Sequence, residues 1–319
     1  MTITQVPSAP LVAVVGATGM QGGSVVKALA ESDKPYRIRG FTRNATKPAS
    51  EALKKQGVEV VEISLVLDNV KEVYRAFIGA NVAFLVTNFW EHIDMEKEVS
   101  EGKMLIDAAK AAGVERIVWS GLVSPTKISG GKLTHVYHFH GKSLVSEYGY
   151  ASGVPFVNVQ AGFYASNFLA NPSMLAKQSD GTFAIAWNVK PTTVVPLIDC
   201  ANDYGLYVRH VLELAVFPDG SEVYTTSEDI TLQDMVRQLS EVTGKDVVFK
   251  QLTDEEFGKN FSALGLPPPV VTEMVEGFQF FDEYGYYGGQ PSASREGLAR
   301  PTRTWTEFAK LADWSKAFV

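Results

Sequence analysis

A chain of 319 residues with 36 acidic against 29 basic side chains, a formal charge of −7, lacks the positive field that holds a nucleic-acid backbone, so direct nucleic-acid binding is not expected. Its single cysteine, Cys200, excludes an internal disulfide framework and fits a reducing compartment, cytoplasmic or also nuclear. No apolar run approaches the ~20 residues of a membrane span, and MTITQVPSAP at the start shows no cationic-then-apolar pattern, so neither a membrane anchor nor a secretory signal is expected.

From residue 10 to about 160, short β-branched runs alternate with amphipathic stretches. LVAVVG (11–16) predicts a buried strand ending in glycine, and QGGSVVKALAES a helix with Val25, Val26, Leu29 and Ala30 on one face. YRIRGFTR (36–43) alternates as a strand; SEALKKQG reads as a helix closed by Gly57; VEVVEIS (58–64) is a third strand. DNVKEVYRAFIG predicts a helix capped by Asp68 and stopped at Gly79. NVAFLVTN (81–88) is a strand buried on both faces, and DMEKEVSEGKMLIDAAKAAG a long helix leading to the strand RIVWSGL (116–122). SPTKISGGK reads as a flexible loop before a helix containing VYHFHGK (136–142), and FVNVQAG (156–162) supplies a sixth strand.

Strand–helix alternation with short connections predicts an α/β fold with a doubly wound parallel sheet over residues 1–162. Beyond residue 163 the alternation breaks down. The segment 221–252 reads as strand, helix, strand with Thr231 as the cap, LPPPVV as a linker or turn, and EGFQFFDEYGYYGGQ (276–290) as an aromatic run that is core, lid or partner surface. Residues 163–319 are therefore expected to form a smaller α/β C-terminal domain, partly interleaved with the last sheet elements, that caps the carboxyl edge of the sheet.

Within VVGATGMQGGSV, Gly16, Gly19 and Gly22 stand as Gly-x-x-Gly-x-x-Gly at the first strand–helix junction. The first glycine permits a tight turn, the second lets backbone approach a pyrophosphate, and the third packs the helix closely so that its amide dipole faces the phosphates. A protein selecting NAD usually ends its second strand with a carboxylate for the ribose 2′-hydroxyl. Here that position is GFTRNATK, with Arg43 and Lys47. A forked guanidinium with a neighbouring ammonium suits a 2′-phosphate, which predicts NADP(H) over NAD(H).

The glycine loop, FTRN, FLVTNFWE, VWSGL, HFHGK, AGFYASNFL and VPLIDCANDYG together resemble the NmrA-like group of atypical short-chain dehydrogenases, over most of the chain. The resemblance implies a Rossmann-like dinucleotide domain, a small C-terminal domain and a cleft between them. It also implies roles: Thr18, Met20 and Gln21 join the three glycines at the pyrophosphate, and Asn88 and Phe89 lie along the nucleotide. Lys142 reaches the nicotinamide ribose, while Tyr164 and Asn167 approach the nicotinamide end. Some members sense the redox state of the dinucleotide and bind regulatory protein partners; others are described as oxidoreductases.

Ordinary short-chain dehydrogenases use Tyr-x-x-x-Lys, in which four residues place phenol and ammonium on one helical face. None of the 12 tyrosines here has a lysine four positions on. His138 precedes Lys142 at that spacing, and Tyr137 lies roughly 100° away around a helix. His138 is a proton donor, a metal ligand with His135, or a structural residue; no carboxylate or cysteine in the local sequence completes a metal set, and none is expected. The missing tyrosine favours a redox-sensing regulator or interaction module. The alternative is an NADPH-dependent reductase of a small carbonyl or aromatic compound, with His138 or Lys142 supplying the proton and Ser120 orienting the substrate.

Overall fold

The computed structural model describes residues 3–170 and 174–318. Six strands and six helices alternate through the first half: β1 (Leu11–Val14), α1 (Met20–Ala30), β2 (Arg37–Thr42), α2 (Pro48–Lys55), β3 (Glu59–Glu62), α3 (Val70–Phe77), β4 (Val82–Leu85), α4 (Met95–Ala111), β5 (Arg116–Trp119), α5 (Pro125–Ile128), α6 (Tyr137–Tyr150) and β6 (Phe156–Gln160). They form a parallel sheet in the order β6-β5-β4-β1-β2-β3, extended beyond β6 by a seventh strand, Glu222–Tyr224. β1 pairs with both β2 and β4, so successive crossovers leave it on opposite sides and open a crevice at its carboxyl end.

The period of two along β1 explains the two covered faces. Val12 and Val14 pack against α1 and the Gly205–Glu213 helix through Val25, Leu29 and Val208. Leu11 and Ala13 face the other way, onto α3 and α4 through Phe77, Leu105 and Ala109. A third core joins the two halves of the chain: Leu122, Val136 and Phe139 pack with Phe163, Trp187, Phe278 and Phe281. Two three-stranded sheets build the later half. One orders Glu228–Thr231, Val194–Ile198 and Phe163–Tyr164; the other orders Val247–Gln251, Phe183–Trp187 and Ala176–Lys177.

Several local expectations change. Asp68 does not cap α3; it sits inside a 3₁₀ turn, Leu67–Asn69, and the cap position falls to Asn69, whose amide turns back to the Ser64 carbonyl at 2.9 Å. SPTKISGGK contains the short helix α5, because the Ser124 hydroxyl accepts the Lys127 amide at 3.2 Å and Pro125 suits a first helical turn. For the same reason LPPPVV is no linker: Pro268 opens the long helix Pro268–Tyr284. That helix carries the aromatic run inward, with Phe278, Phe280 and Phe281 all buried. Thr231 does cap its helix, accepting the Asp234 amide at 3.2 Å. No helix among the described residues is long and apolar enough to cross a membrane.

Candidate functional site

A cleft of about 1120 Å³ opens along the carboxyl ends of β1, β2, β4 and β5 and reaches under the Pro268–Tyr284 helix. The glycine loop forms its first wall. Gly16 has φ +65°, which closes the turn after β1, and a Cβ on Gly22 would stand 2.3 Å from the Gly16 carbonyl oxygen. Loop backbone and helix thus approach as only glycine allows. No side chain caps α1 and no acidic residue lies in its first turn, so its amide dipole faces the cleft uncompensated. Both features fit a pyrophosphate. Thr18, Met20 and Gln21 line the same wall.

β2 delivers Arg43 and Lys47 to one end of the cleft, both exposed. Arg43 pairs there with Glu91, a solvent-accessible contact that an anionic ligand can replace. The segment after β4 follows the floor: Asn88 is exposed, Phe89 is buried and Trp90 stands out into the cleft. Ser120, at the end of β5, accepts a hydrogen bond from the Gln21 amide at 2.6 Å, tying the loop to the sheet. Tyr164 and Asn167 also line the cleft, and Ser166 between them meets Met20 of the glycine loop. Burial, with Cys200 alongside, pushes the Tyr164 phenol well above its ordinary range.

α6 supplies the two residues in question, on one face as their spacing requires. The Lys142 ammonium donates to the Thr87 carbonyl (2.9 Å), the Thr87 hydroxyl (2.9 Å) and the Glu98 carboxylate (2.8 Å). Glu98 also accepts the Thr87 hydroxyl at 2.7 Å, so one buried carboxylate organises both partners. His138 donates its backbone amide and Nδ1–H to Oε1 of Glu273, at 2.8 and 2.6 Å. One turn earlier, His135 makes the matching pair with Glu276. Each histidine has its own carboxylate, and among the described residues no three His, Cys, Asp or Glu side chains form a metal-binding group. His140 faces elsewhere, to the Ser124 hydroxyl at 3.0 Å, and burial lowers its imidazole below its ordinary value.

Every residue expected at the site from sequence therefore lines this one cleft. Thr87, Glu98 and Glu273 were missed. Glu98 sits in a helix whose charge pattern reads as solvated surface, and Glu273 lies 135 residues from its partner. The only local signal was the buried strand β4 running into Thr87.

The family model for the NmrA-like family matches residues 8–314. An NmrA-like family domain-containing protein of Dictyostelium discoideum is 28% identical over 295 residues, covering 88% of this chain and 91% of that one. The NmrA-like family domain-containing oxidoreductase malD of Malbranchea aurantiaca is 30% identical over 261 residues, covering 76% and 75%. Among solved structures, the negative transcriptional regulator NmrA in complex with NADP superposes with a TM-score of 0.78 at 22% identity, covering 95% of both chains. The NADPH-dependent quinone oxidoreductase QOR2 of Escherichia coli, complexed with NADPH, gives 0.73 at 20%, covering 93% and 98%. At such identities these structures speak for the fold alone. With a seven-stranded parallel sheet of this order and a family match over nearly its whole length, the chain belongs to the NmrA-like family.

Proposed function

We propose that this chain is an NADP(H)-dependent oxidoreductase that reduces an apolar carbonyl or conjugated aromatic compound. One observation carries the reading: the cleft does not end at the residues expected around the nicotinamide. It continues into a space walled by Trp90, Phe139, Phe278, Phe281 and Met274, within a total volume above the ~300–1,000 Å³ of a typical single-ligand site. A second, apolar compound fits where those rings converge. Relatives described as oxidoreductases, malD among them, support the same reading.

Bound NADPH would supply a hydride. The chain's own residues do the rest. The glycine loop and the α1 N-terminus hold the pyrophosphate, and Arg43 with Lys47 hold the 2′-phosphate. Lys142, fixed by Glu98 and Thr87, orients the nicotinamide ribose, and the aromatic wall excludes water from the reacting carbon. NADPH oxidation against aromatic aldehydes, enones and quinones tests the reading. Turnover by wild type that Lys142→Ala weakens through NADPH affinity supports it. Tight NADPH binding with no consumption, and affinity for a protein partner that depends on oxidation state, would instead make the protein a redox-sensing regulator.

A further inference from the structure

We infer that His138 is the proton donor of this site and that Glu273 is the residue that positions it. The inference rests on the reductase reading above and names the group that replaces the absent tyrosine.

The argument begins by elimination among the acids facing the cleft. The Lys142 ammonium directs its three protons at Thr87 and Glu98, and the one that turns to the nicotinamide ribose when the dinucleotide binds is taken up there, so none is left for a substrate. Ser120 accepts the Gln21 amide, and its hydroxyl lies against the buried Tyr204 phenol. The two tyrosines on the cleft wall, Tyr164 and Tyr286, have phenols pushed upward by burial, which makes them hold their protons more tightly. Glu91, His92 and Glu101 also line the cleft but are grouped together beside Arg43, whereas His138 is the titratable group set among the aromatic rings.

Its geometry is that of a working acid. Glu273 takes Nδ1–H at 2.6 Å and the His138 amide at 2.8 Å, which fixes the ring's orientation through two bonds to one oxygen. The imidazole stands between Trp90 (centroids 5.0 Å apart) and Phe139 (4.8 Å), with Phe89 behind it at 5.9 Å. Among the described residues Nε2 has no hydrogen-bond partner, and it is not one of the buried unpartnered atoms, so it opens to the cleft. With Nδ1–H committed to Glu273, a proton on Nε2 makes the ring an imidazolium. The buried Glu273 carboxylate, its other oxygen unpartnered, stands directly against that ring. Of the charges on the neighbouring turns, Lys142 pairs with Glu98 and His135 with Glu276.

The step balances. As a hydride from the reduced dinucleotide forms the new C–H bond at a carbonyl carbon, the C=O π bond breaks and its electron pair goes to oxygen. That oxygen takes the proton from His138 Nε2. Neutral His138 keeps Nδ1–H on Glu273 and regains its second proton from water.

A substrate that needs no proton separates this role from packing. Reduction of a permanently charged iminium uses the hydride alone. We therefore compare benzaldehyde with an N-methyl-3,4-dihydroisoquinolinium cation as acceptors, in wild type, His138→Gln and Glu273→Gln. Expected is a fall in benzaldehyde kcat of about 100-fold or more for His138→Gln and of about 10-fold for Glu273→Gln. The Kd for NADPH and the rate with the iminium should stay within about three-fold of wild type. Nitrogen-15 NMR of the dinucleotide-free protein supplies a readout independent of turnover. Neutral His138 should carry its proton on Nδ1 in wild type, and lose that preference in Glu273→Ala. Benzaldehyde reduction that survives in His138→Gln, or a proton on Nε2 of the neutral wild-type ring, overturns the donor assignment while leaving the reductase reading intact. Wild-type protein that binds NADPH but reduces neither acceptor overturns both.

Discussion

Glu98→Ala probes the buried pair on which the proposed cofactor binding rests. Lys142 and Glu98 have side chains only 12% and 3% exposed, so solvent and salt screen their attraction weakly. Removing one member of a buried pair costs about 3–5 kcal/mol, because the other charge is left uncompensated. Here Thr87 keeps two oxygens, 2.9 Å away, on the stranded ammonium, and the net loss should be smaller. We set it at about 2–3 kcal/mol. Spread over the unfolding entropy of a chain this long, that lowers the melting temperature by about 3–4 °C. Urea denaturation gives the free energy directly. The paired replacement Glu98→Leu with Lys142→Met should recover most of that stability, since apolar groups of similar volume avoid the desolvation penalty. It should nevertheless lose about 10- to 100-fold in NADPH affinity, the worth of one charged hydrogen bond to the ribose. A Glu98→Ala protein within about 0.5 kcal/mol of wild type would refute the claim that the pair is structurally committed.

Three further outcomes follow from the geometry. Gly22→Val places carbon against the Gly16 carbonyl and should abolish NADPH binding measured by fluorescence; a Kd within about three-fold of wild type would show that the loop does not cradle the pyrophosphate. Arg43→Glu should weaken NADPH by about 10- to 100-fold and NADH by less than about three-fold, because only the former carries the 2′-phosphate; equal losses would remove the basis for NADP(H) preference. Because burial lowers the His140 imidazole, the unfolded chain takes up that proton more readily than the folded one. The stability this contributes is fully present above the unfolded value of about 6.5 and is lost as pH falls below it. Urea midpoints between about pH 7.5 and 5.5 should therefore drop less in His140→Gln than in wild type, and identical slopes would contradict the linkage.

The sheet was legible in the sequence because each of its central strands is apolar on both faces. A run such as Val82–Leu85 has no other way to be buried than between helical layers. The glycine loop was legible for a related reason: the spacing of Gly16, Gly19 and Gly22 is a local backbone requirement, satisfied within one turn of chain. Even the shared face of α6 could be read, since four residues fix His138 and Lys142 on one side whatever surrounds them.

What surrounds them came only with the tertiary structure. Proline at Pro268 reads equally as the end of one element or the start of another, and the long helix it opens is what brings Glu273 to His138. Glu98 likewise sits in a stretch rich in charge, indistinguishable by composition from a solvated face. A carboxylate's burial is decided by the chain segments packed over it, and those lie up to 135 residues away. The sequence determined that a dinucleotide fold carries His138 four residues before Lys142 in place of a tyrosine. Folding decided that both have buried anionic partners, because pairing energies act through space and leave no trace in local spacing.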